Sequence, residues 1–316
     1  MTRKAGYYKN YERAGINTNR FLARAARRVV RRLGPPFKAY KRGRKLSLEP
    51  EKAGVVVIVQ AAQNKTFRSA EDVAAQLYKR VDHVTIWRYF RRIRTGWVKH
   101  AVSLLYNMIH IQLKKTRIYM LDSTCFLCVR SGVLLKLHVL VSYFVDLGLL
   151  VIARAEATLF YRHDAPVAER LLETATGDGE PLLGDRGYDS KGLRRKARRQ
   201  GFAPNIKFRR QSEPTTQEQA HGVGFDEEGY RMRGVVEGLF GGSEVRYGNE
   251  TRCRLTSHRL KDVLLKALSF NLRAYLRAQA GFLSTIKRRS FYLLRGIMKQ
   301  PRIWEIVFIV RLNQIK

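Results

Sequence analysis

The chain has 316 residues, with 61 Lys+Arg against 26 Asp+Glu and a net charge of +35, about one uncompensated positive charge in nine residues. A hydrophobic content of 45% excludes a disordered basic tail, and the length suits roughly two domains. Self-repulsion on this scale destabilises a compact state unless a polyanion relieves it, which puts nucleic acid first and a membrane surface second.

The opening segment MTRKAGYYKNYERAG has no apolar h-region, and the longest apolar stretch, Val133 to Ala153, is broken by Lys136, His138 and Asp146. Three cysteines, Cys125, Cys128 and Cys253, are too few and odd in number for a disulfide framework. The expectation is a cytoplasmic, DNA-associated protein with no membrane span. Residues 1–45 read as a basic arm. Within it Phe21, Leu22, Ala25, Val29, Val30 and Leu33 recur at helical spacing among Arg24, Arg27, Arg28, Arg31 and Arg32, and Pro35-Pro36 ends the helix. Such a helix could lie on DNA, on a membrane surface, or pack its apolar side on the next domain.

Residues 46–114 read as a small helical domain. Glu49 and Pro50 open a first helix, Ser69-Ala-Glu-Asp72 has the layout of a capping box opening a second over 70–78, and a turn at 79–83 leads to a third over 84–93. Two short helices joined by so short a turn, the second carrying Thr85, Arg88, Arg91 and Arg92, follow the helix-turn-helix plan, with Ala74, Leu77, Ile86 and Phe90 as the apolar seam. An ordinary helical hairpin is the plainer alternative. On the first, Arg88, Arg91 and Arg92 are candidate DNA contacts.

After residue 115 the period changes to two. Strands are expected over 117–122, 134–144 and 149–157 as a meander, with Asp146 in a turn, then over 181–185 and 202–207, with helices over 165–173 and 190–199. Residues 208–229 read as a loop and helices return from Tyr230. Cys125 and Cys128 lie three steps apart on a strand, hence on opposite faces, which disfavours a zinc half-site. Trp87, Trp97 and Trp304 read as packing residues. The apolar terminus, 281–316, could be a docking element, a dimer contact or a vestigial extension.

Asp122 and Asp185 each end an apolar strand, where a carboxylate is costly unless it is paired or binds a metal. A third acid stands in Tyr230-x2-Arg233-x3-Glu237, whose named positions share one helix face. Three carboxylates with no adjacent Ser/His or Cys/His partner suit a hard cation such as Mg²⁺. Two such ions about 3.5–4 Å apart can serve phosphoryl transfer. The bland alternative makes each acid a cap or a surface ion pair.

Several blocks now stand in order: Leu121-Asp-Ser-Thr124, His163-Asp-x-Pro166, Asp185-Arg-Gly-Tyr-Asp189, Tyr230-x2-Arg233-x3-Glu237 and Ser269-Phe-Asn-Leu272. Together they resemble the ribonuclease H-like core of DDE transposases from bacterial and archaeal insertion sequences, over about residues 117–275. The resemblance implies an α/β fold: a mixed five-stranded sheet flanked by helices over 115–280, preceded by the helix-turn-helix domain. It implies Asp122, Asp185 and Glu237 as catalytic metal ligands for Mg²⁺ or Mn²⁺, two ions in all. Arg233 and Arg246 join the DNA contacts, and His163, Asp164, Arg186, Tyr188 and Tyr230 support the site. The implied reaction frees 3′-hydroxyls at the element's ends for attack on target DNA. The implied partners are double-stranded DNA, at element ends and target, and further copies of the chain in a homodimer or larger synaptic complex. One departure is plain: the family pattern Glu-x6-Lys puts Glu244 where a lysine is expected, with Arg246 two residues on, and Gly241-Gly242 weakens the helix there. A catalytically inactive or repurposed DNA-binding derivative is therefore the alternative; an RNA-binding basic protein would explain the charge but not the acids.

Overall fold

The computed structural model describes residues 5–39, 45–113, 117–209 and 225–297, with side chains between 18 and 279. Residues 1–275 form one compact unit and 276–316 a second. The expected loop over 208–229 and the terminus, with Trp304, fall largely outside the described residues.

Five helices come first: α1 (Ala5–Leu33), α2 (Pro50–Ala62), α3 (Ala70–Leu77), α4 (His83–Arg92) and α5 (Thr95–Leu113). The arm expected at the start is folded into this layer from residue 18 on. Leu22, Ala26, Val29 and Val30 are buried, α1 lies against α2, α3 and α5, and Arg28 donates to Tyr275 Oη. The apolar side of a basic helix thus pairs with protein, while Arg24, Arg28, Arg31 and Arg32 are exposed and Arg27 is half-buried on Tyr78. The seam between α3 and α4 holds Ala74, Ile86 and Phe90 buried, with Leu77 half-buried. Asp82 caps α4, its Oδ1 accepting from Val84 N at 2.8 Å.

The capping box expected at Ser69 is not made. Ser69 is itself helical (φ −70°, ψ −11°) and bonds none of the first-turn amides. Thr66 acts one turn earlier, its Oγ1 accepting from Ser69 N at 3.2 Å. Expected and observed strands agree closely in place: β1 (Arg117–Cys128), β2 (Leu134–Phe144), β3 (Leu149–Leu159), β4 (Pro181–Gly184) and β5 (Ala203–Ile206), with α6 (Asp164–Leu172) and α7 (Lys191–Arg199) between them. The order is β3-β2-β1-β4-β5. The first three pair antiparallel, and β4 and β5 run parallel to β1. This is the ribonuclease H-like arrangement.

β1 is longer than expected, so Asp122 stands mid-strand rather than at a strand end, its pairing with β2 continuing to Leu127. Its far end, Leu127 and Cys128, outruns β4 and pairs with a two-residue strand, β6 (Glu250–Thr251), that has no periodicity to betray it. Cys125 is exposed and Cys128 buried, as opposite faces require.

Apart from β6, the elements from Glu227 on are helical: α8 (Glu227–Arg231), a single 3₁₀ turn, α9 (Val235–Tyr247) and α10 (Thr256–Ile297). Gly241 and Gly242 do not interrupt α9. Asn271 of α10, fully buried, closes the open edge of the sheet. Its Oδ1 accepts from Ile152 N at 2.9 Å, and its Nδ2 donates to Ile152 O at 2.7 Å and to Val102 O at 3.1 Å. An edge strand leaves such groups unpaired unless something covers them. Asn271→Leu should therefore lower unfolding stability by about 3 kcal/mol, because buried backbone groups lose their partners; denaturant titration reads this directly.

Candidate active site

Asp122 lies on β1 and Asp185 directly after β4, and the parallel register pairs Tyr119 with Leu182 and Met120 with Leu183. That offset, 63 residues, is the separation of the two acids, so both stand at the same level on neighbouring strands. Asp122 is 9% exposed. Its Oδ1 accepts from Ser123 N at 2.8 Å. Burial pushes its carboxyl above the usual aspartate value, with Asp185 and Glu237 adding to the push and Ser123 N–H and Arg233 opposing it.

Asp185 is held differently. It opens the 3₁₀ turn Arg186–Tyr188, and its Oδ1 accepts from Gly187 N at 2.8 Å. A Cβ at Gly187 would lie 2.9 Å from that same oxygen and 3.6 Å from Asp164 Oδ2. Gly187→Ala is therefore expected to displace the Asp185 carboxylate with little change in melting temperature; a crystal structure of the variant and thermal-melt measurements check it.

Glu237 sits in the first turn of α9, exposed. Arg233 ties it to the strands. Its Nη2 lies 3.2 Å from Asp122 Oδ2 and 3.5 Å from Asp185 Oδ2, and its Nη1 lies 4.0 Å from Glu237 Oε1. The three carboxylates thus converge on one guanidinium. Arg233 was expected on DNA; here it faces the acids, because the 3₁₀ turn before α9 points its side chain onto the strand ends, and it is only 19% exposed.

The supporting residues divide. Asp164 is central: its Oδ1 accepts from Ser123 Oγ at 3.1 Å and faces His138 Nδ1 at 3.1 Å, while its Oδ2 accepts from Lys136 Nζ at 2.7 Å. Against the penalty of burial, the hydrogen bonds of His138 and Lys136 hold its carboxyl down at about 2. His138 is buried and its Nε2 meets Thr158 Oγ1 at 2.9 Å. Ser123, Lys136 and His138 were not among the expected site residues, although Ser123 pairs with His138 and Cys125 with Lys136 across β1 and β2; a lysine and a histidine two apart in an otherwise apolar strand was the available signal.

His163, by contrast, is exposed and its side chain caps nothing at the start of α6. Tyr188 is buried behind Asp185, and burial holds its phenol well above the usual value. Tyr230 is half-buried near the acids, tilted on Phe225 at 5.1 Å, and burial raises its phenol too. Arg186 is exposed and its carbonyl accepts from Arg209 Nε at 2.8 Å. Asp189 anchors the loop instead, taking Arg194 Nη2 at 3.1 Å and Arg209 N at 2.8 Å.

Of the more distant expectations, Arg246 is exposed in the last turn of α9. Glu244, the departure from the family pattern, accepts from Asn249 Nδ2 at 2.7 Å and so fastens the turn after the helix. On α4, Arg88 and Arg91 are exposed, while Arg92 is half-buried with its guanidinium over the Phe37 ring at 5.9 Å. Packing thus withdraws Arg92 from the expected DNA face. Among the described residues, ligand-type atoms of three side chains approach within 4.8 Å of one another only at Glu71, Asp82 and His83. Those three are accounted for by structure: Glu71 Oε1 accepts from His83 N at 3.0 Å, and Asp82 caps α4.

A family model described as the transposase DDE domain matches residues 114–272. The chain belongs to the transposase DDE domain family. Its matched segment contains β1 through β6, all three acids and Asn271, and ends in α10. Among solved structures, a piggyBac transposase in a synaptic complex with hairpin DNA is similar at 10% identity and a TM-score of 0.41, covering 87% of this chain and 79% of that one. No curated protein matches the chain. Among the described residues no helix is long and apolar enough to cross a membrane.

Within the DDE domain the donor set suits a hard divalent cation. All three groups are carboxylates, and they already surround a positive charge, the Arg233 guanidinium.

Proposed function

We propose that this chain is the transposase of an insertion sequence: it binds the element's ends as double-stranded DNA, cleaves there, and joins the freed ends to target DNA. The observation that carries this reading is the register that sets Asp122 and Asp185 side by side, with Glu237 held to the same guanidinium. Asp122, Asp185 and Glu237 would hold Mg²⁺ or Mn²⁺, two ions in the resemblance the blocks carry. Bound there, such ions would activate the attacking oxygen and stabilise the leaving one.

The residues around them divide the remaining work. Ser123 N–H and Gly187 N–H fix one oxygen each of Asp122 and Asp185, leaving the other oxygen of each toward Arg233. Arg233 neutralises the acids in this structure; with a cation bound to them, its guanidinium would be available to a DNA phosphate. Arg88, Arg91 and Arg246, exposed and without a carboxylate partner among the described residues, supply cations to the DNA backbone or base edges. The acting form is a homodimer or larger synaptic assembly, DNA-associated in the cytoplasm.

The test is a cleavage assay on duplex DNA carrying the element's own ends, with and without Mg²⁺. Cleavage that depends on the ion supports the reading; tight end binding with no cleavage at any Mg²⁺ or Mn²⁺ concentration supports the inactive derivative instead. Arg88→Ala and Arg91→Ala are expected to weaken end binding by about 1–3 kcal/mol where they read a base, and to lower the salt slope by about one where they meet a phosphate. Arg92→Ala should act on stability more than on binding; anisotropy titrations across salt separate the two.

A further inference from the structure

Between the helical segment and the sheet lies a cavity of about 860 Å³ that the acids do not line. One wall is the end of α2 with the following turn (Lys65, Phe67) and α4 (Trp87, Arg91). The other is the end of α9 with β6 and the start of α10 (Arg252, Arg254, His258), and Arg130 of the β1–β2 hairpin closes a side. The two walls are stitched together: Lys261 Nζ of α10 donates to Phe90 O at 2.9 Å and Arg91 O at 3.0 Å of α4.

The lining has two chemistries. Lys65, Arg91, Arg130, Arg252 and Arg254 have no carboxylate partner among the described residues. Lys266 is committed elsewhere, donating to Tyr247 O and Gly248 O at the end of α9. Glu250 and Asp262 are the acids of the lining, so positive charge dominates. The second chemistry is aromatic. Phe67 and Trp87, both half-buried, meet edge to face with centroids 5.1 Å apart, and Trp87 leans on Phe90 at 5.1 Å and His258 at 5.4 Å. Cations that track phosphates beside aromatic surfaces that receive bases are how unpaired nucleic acid is held. Its volume is that of a pocket for one small ligand.

The cavity is also connected to the candidate active site by one continuous helix, α9. Tyr247, on its rim, lies ten residues along α9 from Glu237, about 15 Å at 1.5 Å per residue. That is roughly four to five nucleotide steps of a strand at 3.4 Å each.

We propose that this cavity binds an unpaired nucleotide of the DNA strand, its base against Phe67 and Trp87 and its phosphates among Arg130, Arg252, Arg254 and Lys65, a few nucleotides from the bond that is cut. This rests on the DNA-cleaving reading above. A free nucleotide offers the same chemistry, and the test separates the two sources.

The full-length protein is titrated, at one fixed salt concentration, with a blunt duplex and with the same duplex carrying a single-stranded overhang of about four nucleotides that contains 2-aminopurine. The overhang should tighten binding about tenfold, and the 2-aminopurine emission should fall on binding. The double variant Arg252→Ala/Arg254→Ala, at exposed positions where folding is not at risk, should lose the overhang advantage while blunt-duplex affinity stays within about twofold. Trp87→Ala should lose the quench. Equal affinity for blunt and overhanging DNA in the wild type overturns the cavity assignment and leaves the transposase reading intact. An equal loss on both DNAs in the arginine variant does the same, marking a general phosphate surface. Competition by ATP as effective as by the overhang strand assigns the cavity to free nucleotide and overturns the proposal as well. Absence of binding to any DNA overturns both readings.

Discussion

Asp122→Asn and Asp185→Asn are each expected to reduce Mg²⁺-dependent cleavage roughly a thousandfold, the scale of several kcal/mol of charge stabilisation at a transferring phosphoryl group. Affinity for DNA should hold or rise slightly, since each change removes a negative charge from a surface that faces phosphates. The two positions differ in what else they disturb. Asp122 is buried and its carboxyl is already pushed up, so the amide removes a costly buried charge and the protein should be no less stable. Asp185 also caps the turn through Gly187 N, so its amide variant retains an acceptor there and the loop should persist. A mutant that cleaves at the wild-type rate, in either case, would remove the basis for the metal-ligand assignment.

The second large effect is expected at Asp164, and it is one of stability. Removing this carboxylate strands the Lys136 ammonium, only 16% exposed, beside buried His138. Asp164→Leu should cost about 2–3 kcal/mol, since breaking one side of a partly buried ion pair leaves an uncompensated charge. Its pH dependence has a definite sign. The Asp164 carboxyl is held at about 2, below its ordinary value of 3.8. A depressed folded-state value contributes stability that is complete above the ordinary value and is lost as pH falls toward the folded one. The stability gap between wild type and Asp164→Asn should therefore be flat above about pH 5 and shrink between about pH 4 and 2. Urea titrations at a series of pH values measure it; a gap that widens on acidification is incompatible with the cluster. Cleavage should fall too, because Ser123, which Asp164 holds, adjoins Asp122, and the Gly187 turn lies between Asp164 and Asp185.

How much of this was legible in the sequence follows from the range of the interactions involved. β2 is bounded to the residue and Asp185 does follow its strand directly, because alternation along a strand is a local property, whereas Asp122, expected at a strand end, stands in the middle of the longer β1. Ser69 shows a local rule failing: a sequence that fits a capping box was bypassed because the preceding turn, with Thr66 as its cap, had already made residue 69 helical. β6 was illegible, being a two-residue partner to the overhanging end of β1. The expected arm turned out, from residue 18 on, to be a packed helix; its apolar positions were visible, but the surface they meet is made by α2, α3 and α5.

The sequence by itself determined the charge excess, the α/β pattern and the three acids with their order, since composition and short-range period need no partner to be read. The tertiary structure decided which groups meet. The 63-residue spacing of Asp122 and Asp185 is only a number until the parallel register of β1 and β4 gives it the same value. Arg233 is one basic residue among many until the turn before α9 sets it against the acids. Lys136, His138 and Ser123 mean little apart and become one cluster when α6 delivers Asp164 to them. In each case the deciding contact joins residues far apart in the chain, and its energy exists only once the sheet has brought them within a few ångströms.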